Sequence, residues 1–187
     1  MDMLKKGEIK MVAAGGFTAA DSNLVLGSKA ATIRAPKLKQ ETTAQKIAAW
    51  YIEPLRAMNV GRQGFLILMV LFPLYEKYLR IKEGMGDEGF GKGKPVIDRI
   101  RKELEFATID EAFGFWQDIR NGLLHRAIPK AVYYKLGLQV PGPAIESCPG
   151  GFLINPFELR DRILSIIEAD MSIWDNDSTV QLPESYE

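Results

Sequence analysis

Apolar residues recur at three- and four-residue spacing in five stretches of the chain, and that period predicts five helices. The first starts at Thr42, where Thr42 and Gln45 form a capping-box pattern, with Ile47, Trp50, Tyr51, Leu55 and Met58 expected on its core face. Pro54 lacks a backbone donor and predicts a bend or a break, and Asn59-Val60-Gly61 ends the element. In the second, over residues 62–82, an uninterrupted apolar run from Phe65 to Phe72 predicts a helix covered nearly all round, with a kink at Pro73. Glu76 and Arg80 stand four apart beyond the kink; either can reach toward the His125 site, but a solvated surface pair is the default reading. A short third helix follows Pro95, with Val96, Ile97, Ile100 and Leu104 inward and Arg99, Arg101 and Lys102 outward. The fourth fills residues 108–128. The fifth starts at Asn155-Pro156, an N-cap followed by a first-position proline, with Leu159, Ile163, Ile166, Ile167 and Trp174 as its buried stripe.

The stretches between the helices carry a different pattern. Residues 83–94 hold five glycines and no helical or strand period, which reads as a connector or a lid. The segment lacks the Gly-Lys-Ser/Thr ending of a phosphate-binding loop. Residues 129–155 interrupt the helical pattern with β-like runs at Ala131 to Tyr134, Leu136 to Val140 and Phe152 to Ile154, around a Pro141-Gly142-Pro143 turn. The resulting fold class is all-α: an antiparallel bundle of about five helices over residues 41–175, with a small β-hairpin or ordered-loop insertion over 129–155. Residues 1–40 read as a weakly structured arm or short hairpin, and the acidic stretch 176–187 as a frayed C-terminal tail.

Composition narrows the chemistry. The 187 residues include one cysteine, Cys148, which excludes an intramolecular disulfide and suits a reducing, cytoplasmic setting. Cys148 sits among Pro and Gly without a basic partner, so nothing marks it as a nucleophile. One histidine and one cysteine cannot supply the four N or S ligands of a structural zinc site, and no cofactor is expected. Lys5 and Lys6 precede Gly7-Glu8, not an apolar run, so no signal peptide is read there; nor is any apolar run long enough to span a membrane. The formal net charge is zero, which advertises no nucleic-acid binding, but the charge is uneven. Residues 1–40 hold seven Lys/Arg against three Asp/Glu, and residues 156–187 two against eight.

The fourth helix carries the candidate chemistry. Thr108 and Glu111 form a second capping box. At about 100° per residue, Ala112, Trp116, Ile119, Leu123 and Ala127 fall on one side, with Phe113, Phe115 and Leu124 as shoulders. Asp118, Asn121 and His125 fall on the opposite side, and Arg120 lies between the two faces. His125, the only histidine of the chain, therefore looks away from the apolar stripe. A solvated surface histidine is the plain alternative. Against it, Gly114 and Gly122 stand inside the helix at a cost of about 1 kcal/mol each relative to Ala. Gly122 shares the side of Asp118 and His125, where a missing side chain lets a ligand or a second helix approach. Truncation of Arg120 or His125 is expected to cost little stability.

Arg120-Asn121-Gly122-Leu123-Leu124-His125 resembles the signature of the HEPN superfamily, an arginine, a polar residue, three variable residues and a histidine. The six residues Arg120 to His125 carry the match; Asp118 is added from the helical wheel alone. The resemblance implies a small helical bundle, in many members a metal-independent ribonuclease of toxin–antitoxin or antiviral defence systems. Its catalytic residues here would be Arg120, Asn121 and His125, supported by Asp118 and Gly122, with RNA as substrate. Such cleavage needs a base for the 2′-OH, an acid for the leaving 5′-oxygen and positive charge at the phosphate. An imidazole near pH 6.5 can exchange protons at neutral pH, and an arginine can fork onto phosphate oxygens. One histidine cannot easily be base and acid in the same step, so a homodimer pooling two histidines is expected. The resemblance also covers non-catalytic interaction modules that pair with a nucleotidyltransferase or another partner, including a protein antitoxin. On that alternative the same face is an interface.

Overall fold

The Thr42 hydroxyl accepts a hydrogen bond from the Gln45 amide (3.2 Å) while the Gln45 side chain accepts one from the Thr42 amide (2.9 Å). The expected capping box thus opens α1, Thr43–Ile47, in the computed structural model of the chain. The structure describes residues 38–39, 41–59, 63–126, 132–134, 142–178, 180, 182–183 and 185–186. For 38–39, 124–126, 132–134 and 185–186 it describes the backbone alone. All of them belong to one unit, Lys37–Glu187. The arm expected over 1–40 (38–39 apart), the helix end at Val60-Gly61, Ala127, and the β-like run at 136–140 lie outside the described residues.

The break expected at Pro54 takes the form of a change of helix type. A π-helical turn, Ala48–Ile52, follows α1 and leads into α2, Glu53–Ala57, with Pro54 in its first turn. Because π hydrogen bonds span five residues in place of four, the apolar phase slips by about one position. Trp50, expected in the core, is therefore 37% exposed, while Ile52 is buried. Ile47 and Leu55 are buried as the pattern predicts.

The second expected helix is α3, Gly64–Lys82, which runs through Pro73 as one element. Its buried face includes Ile67, Leu68, Leu71, Phe72, Tyr75 and Leu79, but Phe65 and Leu66 are 38% and 51% exposed, so its first turns are covered on one side only. The third helix is α4, Pro95–Glu103, with Val96, Ile97, Ile100 and Leu104 buried as expected. Beyond it the Phe106 amide reaches back to the Arg101 carbonyl (2.9 Å) across Glu105, whose φ is +62°. That is a Schellman C-cap without the usual glycine.

The central helix is α5, Ile109–Arg126. Its capping box is present, Glu111 amide to Thr108 hydroxyl at 3.1 Å and Thr108 amide to Glu111 carboxylate at 3.2 Å. Ala112, Phe115, Trp116, Ile119 and Leu123 are buried. The last expected helix is α6, Pro156–Glu168, N-capped by the Asn155 side chain. Trp174 is buried, yet belongs to a separate 3-10 turn, Met171–Trp174. α3 packs on α6 and α5, and α4 on α5. A Cβ at Gly64 would stand 2.9 Å from Pro156 Cγ, so the glycine permits the α3–α6 contact.

The described chain is mostly helical with a small sheet in the expected insertion. β3, Ile145–Cys148, and β4, Gly151–Ile154, form an antiparallel hairpin, and β2, Val132–Tyr134, lies parallel to β4 on its other side. β1, Leu38–Lys39, pairs antiparallel with β5, Ser185–Tyr186. The tail expected to fray is tied down further, by Asp177 to Lys77 (3.2 Å) and by the Ala44 amide to Asp175 (2.8 Å). Among the described residues no helix is long and apolar enough to cross a membrane.

Candidate functional site

Arg120 stands one position round the helix from Trp116, at the edge of the α5 apolar stripe, and this turns it toward α3. There it meets Glu76. Arg120 Nε donates to Glu76 Oε2 at 2.8 Å and Nη2 to Oε1 at 3.0 Å, a two-point grip between α5 and α3. Its third nitrogen, Nη1, donates to Asn121 Oδ1 at 3.0 Å, and Asn121 Nδ2 donates to Gln117 Oε1 at 2.7 Å, one turn back on α5. Arg80, one turn on from Glu76, donates from Nη2 (2.7 Å) and Nε (3.1 Å) to the same Oε1.

Glu76 is 8% exposed, which corrects its reading as half of a solvated pair. Burial by itself pushes its pKa up, but the hydrogen bonds from Arg120 and Arg80 outweigh that and hold the carboxyl below its ordinary value of 4.5. The Glu76 hydrogen bond in turn raises the Arg120 pKa. One buried carboxylate shared by two guanidiniums leaves the cluster with a net positive charge.

The cluster forms one wall of an open recess of about 270 Å³, lined also by Gly89, Phe90, Gly91, Phe113, Trp116, Gln117 and Asn121. Phe90 comes from the glycine-rich loop 83–94 and is 6% exposed. Its ring stacks on Trp116, 5.0 Å between centroids at 22°, and the Arg80 guanidinium lies 4.9 Å from the ring centroid. With both contacts made and the ring 6% exposed, Phe90 is packed into the recess and offers little face for base stacking.

The residues expected at the site separate into two groups. Arg120 and Asn121 are hydrogen-bonded to each other in the recess wall. Neither Asp118 nor Gly122 lines the recess. Asp118 is half-buried and Gly122 is buried. At Gly114 an added Cβ would meet nothing within 4 Å. His125 lies on α5, one turn beyond Asn121, and its side chain is outside the described residues. Among the described residues no group of three or more His, Cys, Asp or Glu could hold a metal ion.

Phe90 is a member of the recess that pattern reading left out, and Glu76 and Arg80 are members it set second to a solvated pair. Two signals were available. Phe90 is the only aromatic of its glycine-rich loop, and Glu76 is a charge inside the most apolar helix, with an arginine four residues on. Neither signal connects them to Arg120, because the grip on Glu76 spans 44 positions of sequence.

No family model, no curated protein and no solved structure matches this chain.

Proposed function

We propose that this protein is a metal-independent endoribonuclease of HEPN type, acting in the cytoplasm in a toxin or phage-defence system. The observation that carries the reading is the state of the motif. Arg120 to His125 lie within one unbroken helix, and Arg120 and Asn121 are hydrogen-bonded to each other at an open recess. Helical spacing sets His125 one turn from Asn121 along α5.

In this reading an imidazole takes the proton from the RNA 2′-OH, and the 2′-oxygen attacks the phosphorus. The bond to the 5′-oxygen breaks, and a second imidazole, from a second chain, protonates that oxygen. The products are a 2′,3′-cyclic phosphate and a 5′-hydroxyl. Arg120 supplies positive charge beside the phosphate, and Asn121 orients Arg120. The helices form the antiparallel bundle the family implies, with two copies meeting along α5 near a two-fold axis. Asp118 and Gly114, on the outer side of α5, belong to the face turned to the partner copy.

A specific observation also favours the second reading, a non-catalytic HEPN-like module that pairs with a nucleotidyltransferase, an antitoxin or another partner. The grip of Arg120 on a buried carboxylate is what an arginine does when its task is to knit α5 to α3.

RNA cleavage by purified protein in EDTA separates the two. His125→Ala is expected to cut the rate by at least about a hundredfold, the low end for loss of a positioned proton-transfer group, with the melting temperature unchanged. Cleavage that disappears on chelation and returns with Mg²⁺ would sink the mechanism. A His125→Ala protein that cleaves normally but melts several degrees lower favours the interaction module.

A further inference from the structure

Loop 83–94, with its five glycines, is held at its ends by Glu83 on Arg99 and by Lys92 on Asp110 of α5 (2.8 Å), and both fasteners of its middle rest on Arg80. Arg80 Nη1 donates to the carbonyls of Glu88 (2.9 Å) and Gly86. The Phe90 ring then contacts both the Arg80 guanidinium and Trp116 of α5. The opposite edge of Arg80 is on Glu76 Oε1, the oxygen that also accepts from Arg120 Nη2. One carboxylate oxygen is thus shared by the arginine that holds the loop and the arginine of the motif.

We infer that loop 83–94 is a strap that sets the position of Arg120, with Phe90 as its latch and Arg80 and Glu76 as positioning residues. The inference rests on the reading of Arg120 as the cation beside the scissile phosphate; the wiring itself does not depend on it. With the latch seated, Arg80 has no freedom to turn. Its Nη1 is on the loop carbonyls, its plane is over the Phe90 ring, and its Nε and Nη2 hold Oε1 of Glu76. Glu76 therefore faces Arg120 with both oxygens in register for Nε and Nη2. When Phe90 withdraws, Arg80 loses its aromatic contact and the two carbonyls move away. Arg80 is then free to turn, Glu76 is no longer held in register, and the two-point grip on Arg120 loosens.

The test compares the full-length wild type with Phe90→Ala, which removes the latch, and Phe90→Tyr, which keeps the ring. The readout is solvent exchange of the Arg120 Nε–H by NMR. The Arg160 Nε–H, bonded to Asp161 at 2.7 Å and outside the recess, serves as the internal reference. In Phe90→Ala the Arg120 proton is expected to exchange at least about tenfold faster by local opening, with Arg160 unchanged and Phe90→Tyr restoring the wild-type rate. Should Phe90→Ala not fold, Arg80→Lys gives the same readout, since it keeps the charge but loses the fork that reaches the loop. Unchanged Arg120 exchange in the folded variant overturns the strap. Faster exchange in a protein that cleaves no RNA upholds the strap and removes the nuclease reading. In a protein that does cleave, Phe90→Ala should lower kcat with little effect on KM, because the arginine acts in the transition state.

Discussion

A guanidinium that gives two hydrogen bonds to a buried carboxylate is not an expendable surface group. The helical wheel sets Arg120 at the edge of the polar face, where truncation costs little, but its partner Glu76 is almost fully covered. Arg120→Ala leaves that carboxylate with Arg80 alone and is expected to destabilise by about 1.5–3 kcal/mol, the range for a hydrogen bond to a charged group. Urea melts of Arg120→Ala beside His125→Ala would show it, and equal stability of the two would contradict the grip. Arg120→Lys, which keeps the charge, is the cleaner probe of activity. The same pair has a pH signature. A carboxyl held below its ordinary 4.5 contributes stability that is complete above that value and is lost as pH falls through the lowered one. Glu76→Gln should therefore flatten the acid limb of the melting curve below about pH 4.5. A variant that loses stability in acid as steeply as wild type would refute it. Arg120 and Asn121 could be singled out together at this scale because they are adjacent; their tie to Glu76 was not legible, since no local rule links residue 76 to residue 120.

Helices were legible where their signals are local. Thr42 with Gln45, Thr108 with Glu111, Asn155 with Pro156, and Lys94 with Pro95 all mark starts that the backbone keeps. The readings that failed depend on facts outside the period. The π turn after Ile47 shifts Trp50 outward, and nothing at Ala48 to Ile52 advertises it. β3 was missed because Ile-Glu-Ser-Cys ahead of Pro-Gly reads as loop, and only pairing with β4 makes it a strand. Glu105 ends α4 at φ +62° where a glycine is the usual mark. Its carboxylate is held by Arg162 at 2.5 and 2.8 Å, and Arg162 Nε also caps the Glu103 carbonyl at 2.7 Å. The glycines of α3 and α5 give a paired prediction. Gly64→Ala sets a methyl against the Pro156 ring and is expected to cost about 1–3 kcal/mol. Gly114→Ala meets open space and should gain up to about 1 kcal/mol of helix propensity. Thermal melts that move in the same direction for both would show that the α3–α6 contact is looser than the 2.9 Å approach implies.

At the scale of the whole molecule, the proposed cleavage would need both a base and an acid from a chain with one histidine. A homodimer is therefore the expected species at micromolar concentration, and light scattering should return twice the chain mass. A strict monomer would remove the two-chain site. Gly122 is buried, and the joining face proposed for the dimer is that of Gly114, Asp118 and Asn121.

The two-rung ladder between Leu38–Lys39 and Ser185–Tyr186 closes the described chain into a ring. Closure of so long a loop is entropically dear and is rewarded here by very few bonds. Among the described residues, these rungs are therefore expected to be the last gained in folding and the first to open in the native state. Whatever pries at the chain, a protease or a translocating machine, finds its handle there, with α3 and α5 still closed behind it.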